Sequence, residues 1–124
     1  MKKNFNDLAL AILRIGFSGM LLTHGIPKIS ILLENPGGFP DPLGIGNVVS
    51  LILAIIGEVV APLLVLIGFK TKIAAIPAIG TMAVAAFIVH GQDSFGTKEK
   101  ALLYLIGFIV IALAGAGKYS VDKK

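Results

Sequence analysis

Long apolar runs alternate with short polar breaks along this chain. The run at 48–69, VVSLILAIIGEVVAPLLVLIGF, is apolar all round and holds one acid, Glu58. It lacks the polar face that a helix needs to meet water, so the pattern predicts a membrane-spanning helix. A helix of that length crosses a hydrocarbon core of roughly 30 Å and leaves Glu58 roughly 15 Å from either edge. The same pattern predicts further spans at 6–26, 73–90 and 98–114. The first is open to continuation through Leu33, but Pro27 has no N–H to donate and is expected to bend or end it. The apolar parts of the last two are about 16–17 residues, so their polar ends must share the crossing.

The breaks read as turns. The stretch at 34–47 is dense in Pro and Gly, 68–72 is a tight basic turn, and His90-Gly91 opens a short loop closed by Thr97. The expected fold is therefore all-α: one membrane domain over 1–124, a four-transmembrane-helix bundle with both termini on the same side. No small-x-small cleavage site follows Leu22, so the first helix is expected to be retained. Lys2, Lys3, Lys70, Lys72, Lys118, Lys123 and Lys124 would share one side, which the positive-inside rule makes cytoplasmic.

Composition sharpens this picture. Hydrophobic residues make up 56% of the chain and charged ones 15%, and the mean hydropathy is +0.91. A net charge of +4 would suggest nucleic acid in a soluble protein. Here the lysines flank apolar runs, so the lipid bilayer is the expected partner and nucleic acid is not. Cysteine is absent, which removes disulfides and thiolate metal sites.

Topology leaves six ionisable residues unexplained: Arg14, His24, Lys28, Glu58, His90 and Glu99. At 100° per residue, Arg14, His24 and Lys28 fall within an arc of roughly 80° on the first helix. Lipid is a poor environment for all three, so that face should point inward. The arginine fork is long and always charged, and an intramembrane Arg14–Glu58 ion pair is expected. His24, Lys28, His90 and Glu99 lie at the other ends of their helices, with Tyr104 about a turn deeper. These five form a candidate ligand-binding and proton-handling cluster. No ligand spacing of a local metal motif occurs, so no metal site is expected, and no residue can be assigned a catalytic role.

Leu13-Arg14, Thr23-His24-Gly25 with Lys28, Phe39-Pro40-Asp41-Pro42-Leu43-Gly44 and Gly57-Glu58 occur in that order. Gly68-Phe69-Lys70-Thr71-Lys72, Ala86-Phe87-Ile88-Val89-His90, Lys98-Glu99 with Leu103-Tyr104-Leu105, and Gly117-Lys118-Tyr119-Ser120-Val121-Asp122 follow. In this order and spacing the chain resembles, over nearly its whole length, the DoxX family of small four-helix bacterial membrane proteins. It departs from the family pattern in having Lys70 and Lys72 where Arg is usual, and Lys100 directly after Glu99. The resemblance implies a multi-pass protein of the bacterial inner membrane with both termini cytoplasmic. It also implies a link to oxidoreductase systems, since some relatives accompany thiosulfate:quinone oxidoreductase or oxidative-stress complexes.

The function expected is thus the membrane subunit of a redox system, with a quinone as ligand and a soluble or membrane redox partner, in a chain open to homo-oligomerisation. Any oxidoreductase activity would be exercised with that partner. Two alternatives stand beside it: a non-catalytic membrane scaffold or assembly partner, and a small proton-coupled transporter working through Glu58.

Overall fold

The apolar runs fold into four helices in a computed structural model that describes residues 5–123. They are α1 (Asn6–Glu34), α2 (Asn47–Ile67), α3 (Thr71–Val89) and α4 (Phe95–Ala114), with a short 3-10 turn at Pro36–Gly38. No strand occurs among the described residues. Lys2, Lys3 and Lys124, which entered the expected lysine asymmetry, lie outside them.

α1, α2 and α3 are long and apolar enough to cross a membrane. α4 has 20 residues, but Lys98, Glu99 and Lys100 fall in its first turns and shorten its apolar length. Large apolar side chains cover the outside, with Ile73 and Leu113 69% and 76% exposed. Small ones face inward: Ala74, Ala75 and Ala78 of α3 are buried, in a core shared with Leu21, Val65, Phe108 and Ile111. An apolar exterior over a core of small residues suits a protein solvated by lipid.

The helix open to ending near Pro27 or continuing through Leu33 does not stop at the proline, and α1 runs to Glu34. Pro27 lies on an exposed side, so its ring displaces no packed neighbour. α4 likewise starts at Phe95, ahead of the expected Lys98.

Two helices carry a wide π turn, in each case where a polar residue is placed. In α2 the turn is Ile56–Val60, and the Ala61 N–H reaches the Ile56 carbonyl. Pro62 follows directly and cannot donate to the Glu58 carbonyl four residues earlier, which favours an irregular turn there. In α3 the turn is Ala85–Val89, and the His90 N–H reaches the Ala85 carbonyl at 2.9 Å. Such turns occur often at functional positions.

Two glycines set how closely the helices meet. A Cβ at Gly25 of α1 would overlap the Glu58 backbone carbonyl, and one at Gly57 would overlap Thr81 of α3. α2 is thus held close to α1 at Glu58 and close to α3 at the residue before it.

The end of the molecule opposite Glu34 is laced by the C-terminal tail. Asp122 accepts from the Lys70 and Thr71 amides and the Thr71 hydroxyl, at 2.7–2.8 Å. The Val121 amide donates to the Ile67 carbonyl at 3.0 Å, and the Lys118 amide to Asp7 at 3.1 Å. We call this the tail end, and the end carrying the loop 35–46 and His90 the loop end.

Candidate functional site

A cavity of about 670 Å³ lies at the loop end. All four helices reach it: α1 through His24 and Lys28, α2 through Ser50 and Glu58, α3 through Thr81, and α4 through Lys100 and Tyr104. Phe39, Pro40, Pro42 and Leu43 of the loop roof it. Most of the wall is apolar, and the polar groups are few and convergent, as in small-molecule sites.

The centre of the polar set is an ion pair. Lys28 Nζ stands 2.8 Å from Glu58 Oε1, with the lysine side chain 22% and the glutamate 9% exposed. Lys28 also donates to the His24 carbonyl at 3.3 Å, one turn back on α1. The helix continuing past Pro27 is what carries this ammonium to the depth of the acid. The His24 ring meets Tyr104 edge-on, with centroids 5.9 Å apart. Phe17 also meets Tyr104 edge-on, and Phe108 likewise, at 6.2 and 6.4 Å, and Gly107 leaves space for its ring. Tyr104 is buried, so its ring is fixed between imidazole and phenyl.

The roof is tied down by Asp41. Its carboxylate accepts from the Ile45 and Gly46 amides at 3.0 and 2.8 Å and from the Ser50 hydroxyl at 2.8 Å. Led by the Gly46 amide and the Ser50 hydroxyl, these bonds hold the Asp41 carboxyl below the usual carboxylate range. Asn47 adds a bond to the Phe39 carbonyl.

The expected Arg14–Glu58 pair is not formed. Arg14 is buried near the tail end and donates to the Val65 carbonyl at 3.2 Å, to the Leu66 carbonyl and to the Tyr119 carbonyl. The Val65 and Leu66 carbonyls end α2, two turns beyond Glu58, where helix geometry leaves acceptors and negative partial charge. Lys28 approaches Glu58 from the other end and takes the place expected for arginine.

Of the five residues expected to cluster, His24, Lys28, His90 and Tyr104 line the cavity and Glu99 does not. Glu99 is exposed. Lys100 lines the cavity in its stead, because it lies four residues before Tyr104 and so shares its helix face. That spacing was the signal that could have found it. His90 stands at the rim, with Nδ1 2.8 Å from Asp93 Oδ2. Among the described residues, no three His, Cys, Asp or Glu side chains gather as a metal site would require.

The DoxX family model matches residues 9–91 of the chain. An uncharacterized protein of Haemophilus influenzae is 32% identical, over 98% of this chain and 94% of the relative. Inner membrane protein YqjF of Escherichia coli is 27% identical, over 98% of this chain and 95% of the relative. No solved structure matches.

Proposed function

The chain belongs to the DoxX family of membrane proteins, and from that premise we propose that it binds a quinone at the loop-end cavity as the membrane subunit of a redox system. One observation carries this reading: four helices bring a basic, an acidic, an imidazole and a phenol group to the wall of one largely apolar cavity. A quinone head needs an apolar slot for its ring and donors for its two carbonyl oxygens. The volume and the donor set suit that head. When bound, it would supply two-electron chemistry, and a partner protein would supply the electrons.

The chain's own residues would bind and orient. The Tyr104 hydroxyl and the Lys28 ammonium are donors to a carbonyl oxygen, and the edge of His24 flanks the ring. An imidazole ring can accept a proton at one nitrogen and give one from the other, so His24 and His90 suit the passage of a proton between the rim and the interior. Glu58 holds Lys28 in place by charge.

The same reading places the protein in the inner membrane, as the name of the Escherichia coli relative supports. α4 completes a four-span bundle: its 101–114 part covers about 21 Å, and its polar first turns share the crossing. Lys70, Lys72, Lys118 and Lys123 then mark the tail end, with both termini, as cytoplasmic.

The test is direct. Protein purified in mild detergent is extracted with organic solvent and the extract searched for quinones by mass spectrometry. A stoichiometric quinone that falls at least fivefold in His24→Ala and Tyr104→Phe is expected. Absence of endogenous quinone, together with no binding of added decylubiquinone, would remove the proposal.

A further inference from the structure

We infer that the cavity opens sideways into the bilayer, through a cleft between α2 and α3 on the loop-end side of Gly57, and that its ligand is a membrane-dissolved amphiphile that enters with its head first. The inference rests on the reading of the cavity as a ligand site, and it adds the route and the physical class of the ligand.

Three observations meet here. First, α2 and α3 touch closely at one level, where Gly57 abuts Thr81 and the Pro77 carbonyl. From there toward the tail end they stay packed, through Ile56–Val60 and Ala61–Ile67 of α2. Second, on the loop-end side they part. The segment Asn47–Ile55 packs on α1 and on the Pro36–Gly38 turn, and α3 turns its own loop-end half to α4. Third, the residues flanking the gap line the cavity and are exposed at once. Leu53 and Ile56 of α2 are 47% and 39% exposed, Val89 of α3 is 47% exposed, and Gly80, at the level of the contact, is exposed too. A Cβ at Gly80 would meet nothing within 4 Å, so the gap is open at that point.

Depth decides what lies outside this gap. Ile56 and Gly80 fall near the middle of two helices long and apolar enough to cross a membrane. An opening that starts at mid-span, edged by Leu, Ile, Val and Gly, faces acyl chains and not water. The donor groups His24, Lys28, Lys100 and Tyr104, by contrast, stand on α1 and α4, and Glu58 of α2 is paired with Lys28 of α1. A molecule fitting both has a compact hydrogen-bonding head and an apolar tail, with the tail left in the cleft between the two helices.

The chain contains no tryptophan, so a single introduced one reports alone. Ala54→Trp places it on the half-buried cavity wall of α2, and Met20→Trp serves as a lipid-facing reference on α1. Both are reconstituted in phosphatidylethanolamine/phosphatidylglycerol vesicles containing phospholipid brominated at mid-chain. Ala54→Trp should be quenched to at least half the extent of Met20→Trp, and only weakly by aqueous acrylamide. Adding Gly80→Phe should cut its bromolipid quenching at least twofold, Gly80→Leu by less, and leave Met20→Trp unchanged. Quenching by acrylamide but not by bromolipid would overturn the lateral route, as would bromolipid quenching indifferent to both Gly80 variants. Neither readout depends on a quinone, so this inference and the proposed function fail separately.

Discussion

Lys28 and Glu58 answer to one another because each would be expensive alone. Removing one partner of a largely buried pair strands the other charge. Lys28→Met or Glu58→Leu alone should therefore cost about 1–3 kcal/mol, less than for a fully buried pair because the lysine keeps some exposure. The double variant should recover most of that loss, and thermal unfolding in detergent measures all three. Asp41 gives a pH signature. Its carboxyl is held below the ordinary range in the fold, so its contribution is complete above the unfolded value near 4 and disappears as pH falls through the lowered one. Hydrogen exchange at the Ile45 and Gly46 amides should accelerate on acidification through that window, and Asp41→Asn should weaken the dependence. At this scale the sequence told which side chains must face inward, but not their partners. Arg14 and Glu58 were matched by charge and reach. The structure gives the two terminal nitrogens of Arg14 carbonyls instead, which carry no letter of their own in a sequence. The one helix turn that decides the matter runs through Pro27, where the sequence admits both an end and a continuation through Leu33.

Helix existence was legible because an apolar run bounded by Pro, Gly and Lys admits little else. The two π turns were not, since a single extra residue in a turn leaves the hydropathy pattern unchanged. Close packing was half legible: Gly57 is one of many small residues, and only its contact with Thr81 marks it. The contrast among glycines gives a prediction. Gly57→Ala and Gly25→Ala force a methyl into a neighbouring helix and should each cost about 1–3 kcal/mol. Gly19→Ala and Gly80→Ala meet open space and should be neutral or slightly stabilising, since alanine is the better helix former. Helical circular dichroism followed against temperature separates the two pairs.

Taken whole, the molecule has a cavity at one end and a lacing of tail, turn and first helix at the other. Asp122 caps the start of α3 from far along the chain, so Asp122→Ala should cost about 1–2 kcal/mol, as loss of an N-cap does. Limited proteolysis should then cut within the tail first. α1 bears polar anchors in both regions: Arg14, gripping Tyr119 of the tail, and Lys28, gripping Glu58. An unbroken helix transmits tilt as a stiff lever, and these two anchors are separated by about 21 Å along it. Swinging that lever roughly 3° about Arg14 shifts Lys28 by about 1 Å, enough to stretch a contact of hydrogen-bond length out of range. Whatever docks against the tail thus has a mechanical handle on the charge that guards the far chamber.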